Sequence, residues 1–252
     1  HYTAFTNATI FVKSWQVLEN ATLLIQNDKV IEVGTTVIIP ANTVTIDAKG
    51  KFIYPSFIDL YTEYGLEPVK SAGRSRAQQP QLESKKEATF YWNEAIKPEV
   101  KAADLIRPEK EAADKYRKMG FGTVLSHQQD GILRGTSALV ALNEEDDFKL
   151  LQAESASHYA FNKGSSKQTY PSSLIGMIAL IRQVHFDAKW YAENQKSTAY
   201  NRSLSAVLET QNLPKIFDAN GALSQLRADK IGDEFGFQFI LKGNGTEFQR
   251  IQ

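Results

Sequence analysis

Residues 47–63 read DAKGKFIYPSFIDLYTE, and this stretch decides the fold. Asp47-Ala48-Lys49-Gly50 is typical of a turn, and the runs 52–54 and 57–60 that follow are apolar. The run 57–60 is apolar on both faces, which predicts a strand buried on both sides, as in a barrel. The sequence therefore predicts a small β domain over residues 1–55 and a new layer after it.

Before this stretch, short apolar and β-branched segments at 9–12, 21–26, 30–33 and 44–46 alternate with polar turns. Their composition predicts strands of one small unit. The predicted second domain, residues 56–252, contains a polar, aperiodic excursion at about 66–107, after its first strand. Excursions of this length in a compact domain are usually functional or mobile.

Helix and strand patterns alternate in the rest of the chain. Pro108 and Gly120 bound a predicted helix, which is followed by a strand at 123–126. Further on the sequence predicts a long helix capped by Ser172, a helix at 204–208, a strand at 215–217, a helix at 223–234 ended by Gly236, and a strand at 237–241. Repeated βα units favour a parallel sheet, either doubly wound or part of a (β/α)₈ barrel.

The composition excludes several classes of function. The 252 residues carry 29 Lys+Arg and 29 Asp+Glu, and this balance gives no electrostatic footprint for nucleic acid. No apolar run approaches the roughly 20 residues of a membrane span. Without cysteine there is no disulfide, thiolate metal site or cysteine nucleophile. The compartment is not determined, although a first residue other than Met, His1, slightly favours a processed, extracytoplasmic protein.

A resemblance to a known family rests on four segments in a fixed order. Asn7-Ala8-Thr9, residues 21–34, residues 47–51 and Pro55-Ser56-Phe57-Ile58-Asp59-Leu60 resemble the amino-terminal part of the amidohydrolase superfamily, nearest to its imidazolonepropionase-like and dihydroorotase-like branches. In that family a small β-sandwich precedes a metal-dependent TIM-type barrel. The resemblance implies an α/β fold with a small β-sandwich and the first half or more of a (β/α)₈ barrel, incomplete in this chain.

The family's metal-binding histidines are replaced in this chain. Where the family has His-x-His, the sequence has Tyr61-Thr62-Glu63, and the resemblance places Asp218 and Lys242 at two further histidine positions. A neutral phenol is a poor ligand, and an ammonium group repels a divalent ion. Glu63 and Asp218 remain as weak candidate ligands, so no metal is expected; zinc or another divalent ion is expected only if the family chemistry survives. Lys242 is predicted to form a salt bridge with Glu63 or Asp218 instead.

Two further residues are candidates for a ligand pocket. His127 follows the predicted strand 123–126 at its carboxyl end, where barrel sites lie, and Arg134 could reach an anion. For both, structural packing is the alternative interpretation. His158 lies in a polar stretch and is expected to be solvated, and His185 is expected to pack within a helix. The full candidate set is Tyr61, Glu63, His127, Arg134, Asp218, Asn220 and Lys242.

Three functions follow from these patterns. The first is an amidohydrolase-like module that is catalytically silent and structural within a longer hydrolase. The second is a metal-dependent hydrolase of amide or cyclic amide bonds, with an unusual site or with catalysis elsewhere in the full chain. The third is a module that binds a small ligand or peptide. The expected partner is the remainder of a longer protein, or a second subunit that completes the barrel.

Overall fold

A computed structural model describes residues 1–27, 29–70, 79–86, 89–107, 109–142, 149–246 and 248. Contacts divide the chain into two compact units, His1–Phe57 and Ile58–Gln252. Pro108, the predicted start of a helix, lies outside the described residues. None of the helices in the described part of the chain combines the length and apolar character of a membrane-spanning segment.

The first unit is built around one sheet. Its strands are β1 (Tyr2–Lys13), β2 (Gln16–Gln26), β3 (Lys29–Gly34), β4 (Val44–Asp47) and β5 (Phe52–Ile53). They are arranged in the order β3-β2-β1-β4, with β5 also paired to β1. The β1–β2 and β2–β3 pairs are antiparallel, whereas β4 and β5 run parallel to β1. Small and β-branched side chains, Ala8, Ile10 and Ala21, form its buried core.

Within its described residues, the second unit contains a six-stranded sheet and five helices. The strands are β6 (Phe57–Thr62), β7 (Phe121–Ser126), β8 (Leu133–Ala141), β9 (Lys149–Ala160), β10 (Lys215–Asp218) and β11 (Phe239–Lys242). The helices are α1 (Ala102–Leu105), α2 (Lys110–Lys118), α3 (Leu174–Asn194), α4 (Arg202–Glu209) and α5 (Ala222–Phe235). The sheet order is β11-β10-β9-β8-β7-β6.

The second sheet is mixed, which corrects the expectation of a parallel sheet. β9, β10 and β11 are parallel to one another, but β8 runs antiparallel to both β7 and β9. The sequence patterns do not predict β8 or β9. The reason is that β8 is buried on both faces over most of its length and β9 begins with exposed residues, so neither strand shows a period of two.

The long helix α3 contributes one face to the main hydrophobic core of the second unit. Its N-cap is Ser173, one residue beyond the predicted Ser172, and its Oγ accepts a hydrogen bond from the Gly176 N–H at 3.2 Å. The buried face of α3 includes Ile181, Val184, Ala188 and Tyr191. This face packs against Phe217 of β10 and against α5, which ends at Gly236 in the left-handed conformation.

The described second half of the predicted excursion is packed into this core. Ile96 is fully buried, and its backbone pairs with Leu133 at the start of β8. The approach is close at Gly135, where φ is +81° and a Cβ would lie 1.9 Å from the Val100 carbonyl oxygen. Only glycine allows this conformation and this contact, so the segment's position depends on it.

The strand β6 differs from its prediction. It lies at one edge of the second sheet, and Ile58 and Leu60 are 53% and 55% exposed instead of buried on both sides. The apolar pattern of residues 57–60 therefore indicated a strand correctly but not its surroundings, because burial depends on what packs against the strand.

Candidate functional site

Five of the seven predicted site residues meet at one end of the second sheet, where its parallel strands finish. Tyr61 lies near the carboxyl end of β6, and His127 directly follows β7. Asp218 and Lys242 are the last residues of the parallel strands β10 and β11 and are register partners. Arg134 is the second residue of the antiparallel strand β8, so it reaches the same end from the opposite direction. The carboxyl ends of parallel strands are where α/β proteins place their ligand-binding and catalytic sites.

Asp218 is the centre of a closed polar network. Its Oδ1 is 3.2 Å from the Lys242 Nζ, and its Oδ2 accepts a hydrogen bond from the Tyr61 Oη at 2.7 Å. The Arg134 Nη1 lies 3.6 Å from the same Oδ2. The predicted salt bridge of Lys242 thus forms with Asp218; in the described part of the chain Glu63 makes no ion pair with Lys242. Both oxygens of the carboxylate are engaged by cations or by a phenol.

Tyr61 joins the two cations of this network. Its Oη accepts a hydrogen bond from the Arg134 Nη1 at 2.6 Å, and the Lys242 Nζ lies 4.7 Å from the centre of its ring. Burial raises the pKa of the Tyr61 phenol, more than the nearby Arg134 lowers it. The phenol therefore stays protonated and acts as a hydrogen-bond donor to Asp218, not as a ligand for a metal ion.

Two buried histidines lie next to the ring of Tyr61. His127 and His158 are 0% and 1% exposed and stack with ring centres 3.6 Å apart and planes 12° apart. The ring of Tyr61 meets His127 edge-on at 4.7 Å. None of the four ring nitrogens has a hydrogen-bond partner among the described residues.

Burial keeps both rings neutral. It lowers the pKa of His158 to about 3, with a further contribution from Arg134. It also strongly lowers the pKa of His127, assisted by His158 and Arg134. Two stacked imidazoles cannot both carry a charge beside a buried guanidinium, so they serve as uncharged packing at neutral pH.

The expectation that His158 is solvated was wrong. It lies in β9, opposite Ile216 of β10, and is buried between the neighbouring strands. The signal that could have found it is the spacing of Ala156 and Ala160 two residues to either side, since small residues on one strand face leave room for a ring. Arg134 is also buried, at 4% exposed, so it is not a surface arginine.

Two of the predicted residues are not part of the network. The Glu63 carboxylate accepts a hydrogen bond from the Gln129 backbone N–H at 3.1 Å, which ties the end of β6 to the loop after β7. Asn220 is exposed, two residues beyond Asp218. The structure thus brings together Tyr61, His127, Arg134, Asp218 and Lys242, and adds His158.

The residues at this end of the second sheet do not fit a hydrolytic metal ion. Zinc binds in the plane of an imidazole at about 2.0–2.1 Å from the nitrogen, and two nearly parallel stacked rings offer no point that lies in both planes. The only carboxylate of the network, Asp218, is already paired with Lys242 and close to Arg134. In the part of the chain that the structure describes, no three His, Asp or Glu side chains converge on a metal position.

Comparisons with known proteins agree with this fold. An amidohydrolase from Thermotoga maritima MSB8 superposes with a TM-score of 0.73 at 24% identity, covering 95% of this chain and 63% of that one. A segment of 87 residues is 31% identical to the 5-methylthioadenosine/S-adenosylhomocysteine deaminase of Bacillus thuringiensis (strain Al Hakam), covering 33% of this chain and 20% of the relative. The same enzyme of Bacillus anthracis matches equally.

These relatives are longer than the matched chain. The match spans a fifth of the curated deaminases and less than two thirds of the solved amidohydrolase. No protein-family model matches the chain. The deaminases are themselves enzymes of the amidohydrolase family. The chain therefore resembles the amidohydrolases both in its fold and in a segment of its sequence, as its own residues 7–60 indicated.

Proposed function

We propose that this chain is an amidohydrolase-like module that binds no hydrolytic metal and acts as a structural part of a longer hydrolase. The observation that supports this proposal most directly is that the Asp218 carboxylate is already in contact with Lys242, Arg134 and Tyr61. A lysine, an arginine and a protonated tyrosine occupy the surroundings in which a hydrolytic centre would need neutral or anionic ligands. Positive side chains supply internally the charge that a metal ion would supply to the carboxylate.

The catalytic chemistry of the whole protein then resides outside residues 1–252. The amidohydrolase-like fold supports a hydrolase context, and the chain spans only part of its relatives' length. A carboxylate-built metal centre at Glu63 and Asp218 is the competing function. The Glu63 carboxylate accepts a hydrogen bond from the Gln129 backbone, and the Asp218 carboxylate pairs with Lys242. Because each carboxylate has its own partner within the chain, the metal-free module is favoured.

Metal analysis tests this proposal. The purified chain, dialysed against zinc and against manganese and then against metal-free buffer, is expected to retain less than about a tenth of an equivalent of either ion, because the site offers too few anionic donors. Elemental mass spectrometry measures the content. The matched control is a double variant, Glu63→Gln with Asp218→Asn, which removes both carboxylates and keeps the size and the hydrogen-bonding capacity of the side chains. A stoichiometric ion that this variant loses would contradict the proposal and establish a carboxylate-built centre.

We further propose that the second sheet is part of a barrel of the (β/α)₈ type that departs from it in one strand, the antiparallel β8. We propose likewise that the first sheet is part of a β-sandwich, and that strands from outside this chain complete both. Both edge strands of the second sheet carry exposed apolar side chains, Ile58 and Leu60 on β6 and Ile240 and Leu241 on β11. Exposed apolar edges pair readily with further strands. The partner is the remainder of a longer protein or a second subunit.

The isolated chain is accordingly expected to self-associate as its concentration rises, through these edges. Sedimentation velocity across a concentration series measures the effect. The double variant Leu60→Lys with Ile240→Lys should stay monomeric, because charged edge residues oppose strand pairing. Leu223→Lys, which changes an exposed leucine on α5, is the matched control and should associate like the unmodified chain. Association that survives the edge variant would count against the open edges.

A further inference from the structure

A cavity that is partly open to solvent lies at the opposite end of β10 from Asp218. Its volume is about 380 Å³, within the range of small-molecule sites. It is enclosed by α3, by the end of α4 and by the joint between α5 and β11, and Lys215, the first residue of β10, forms part of its wall. The network around Asp218 does not account for this cavity.

Lys215 is a buried cation without a counter-ion. It is 6% exposed, and its Nζ donates to the carbonyl oxygens of Gln211 at 2.6 Å and Leu213 at 3.1 Å. The ammonium lies 5.0 Å from the ring centre of Phe237, and within the described ranges no carboxylate lies within 4.0 Å of it. Two of its three donors are used, so one remains for a ligand. An uncompensated buried charge is costly, and a bound anion would remove that cost.

His185 adds a second unsatisfied group to the same cavity. Its Nε2 is buried and has no hydrogen-bond partner among the described residues. Burial, and secondarily Lys215, lower the pKa of His185 to about 4, so the ring is neutral and one nitrogen carries a proton. With that proton on Nε2, the ring can donate to an anion that Lys215 also binds.

The remaining wall determines the shape and polarity of a ligand. The aromatic rings of Tyr159, Phe235 and Phe237 surround His185, at centroid distances of 6.0, 4.8 and 5.3 Å. Lys189 is exposed at the opening, and the lining contains no Asp or Glu. A site with aromatic walls, two lysines and no carboxylate favours a flat, apolar molecule that carries negative charge.

We propose that this cavity binds a small aromatic carboxylate, whose carboxylate group accepts hydrogen bonds from the Lys215 ammonium and the His185 Nε2–H while its ring packs on the aromatic wall. The anion neutralises Lys215 and satisfies His185 at the same time. Lys189 attracts the anion from solvent.

Isothermal titration calorimetry with indole-3-acetate as the probe and indole-3-acetamide as its neutral counterpart tests this site on the chain. The acid is expected to bind with a dissociation constant below about 1 mM, and the amide at least about tenfold more weakly, because only the acid satisfies the buried ammonium. Equal binding of acid and amide, or no saturable binding of the acid in the millimolar range, would overturn the proposal.

Three variants assign the binding to this cavity. Lys215→Met should weaken binding of the acid at least about tenfold, and it removes an unpaired buried charge, so the chain should fold. Lys189→Glu, an exposed change at the opening, should weaken binding without affecting the fold. Lys230→Met, on the exposed face of α5 and outside the lining, is the matched control and should bind like the unmodified chain. Unchanged binding in both Lys215→Met and Lys189→Glu would place the probe elsewhere and refute the site.

Discussion

Replacing Asp218 by alanine is expected to destabilise the chain by about 3–5 kcal/mol, the cost of leaving a buried charge without its partner. The charge left behind is that of Arg134, which is 4% exposed and lies 3.6 Å from the Asp218 carboxylate. The Tyr61 phenol loses its acceptor in the same change. Urea unfolding followed by circular dichroism measures the free energy of unfolding.

The two cations of the network should behave differently. The Lys242 side chain is 39% exposed, so water screens its pair with Asp218, and Lys242→Met should cost no more than about 1 kcal/mol. Asp229→Ala, an exposed carboxylate on α5, is the control for loss of a negative charge and should change stability little. If Asp218→Ala lowers the free energy of unfolding no more than Asp229→Ala does, the network does not stabilise the fold.

Acid is expected to destabilise the chain through its buried histidines. His158 has its pKa lowered to about 3, against about 6.5 for an unfolded histidine. As the pH falls below about 6.5 the unfolded chain binds a proton that the folded chain cannot accept. The contribution of His158 to stability is therefore complete above about pH 6.5 and is lost as the pH falls towards 3. His127, in contact with it, acts in the same direction.

The variant His158→Phe isolates this effect. It keeps an aromatic ring against His127 and sacrifices no hydrogen bond, because neither nitrogen of His158 has a partner in the described residues. Between about pH 7 and pH 4 the variant should lose about 3 kcal/mol less stability than the unmodified chain, at about 1.4 kcal/mol per proton and pH unit. Urea unfolding at several pH values measures the slope. The control is His1→Gln, at an exposed position, which should leave the change of unfolding free energy with pH as it is in the unmodified chain. If His158→Phe also leaves it unchanged, the burial of His158 does not contribute to the acid sensitivity.

The fold was predictable where local patterns repeat. The bounds of β4 and of α5, which ends before Gly236, were predicted to within one residue. The strands β1 and β2 begin seven and five residues before the apolar runs that predicted them. The strands β8 and β9 were not found. Their residues are buried by neighbours that come from distant parts of the chain, and a strand covered on both faces needs no alternation of polar and apolar residues.

The site was predictable in part. The sequence, through its resemblance to the amidohydrolases, predicted that Tyr61, Glu63, Asp218 and Lys242 stand where that family has histidines. Their charges predicted that Lys242 would pair with a carboxylate, as it does. Only the tertiary structure decided that the partner is Asp218 and not Glu63, that Arg134 joins it, and that His158 is buried. The physical reason is that side-chain chemistry is local, whereas distance and desolvation depend on strands that are far apart in sequence and adjacent only in the folded sheet.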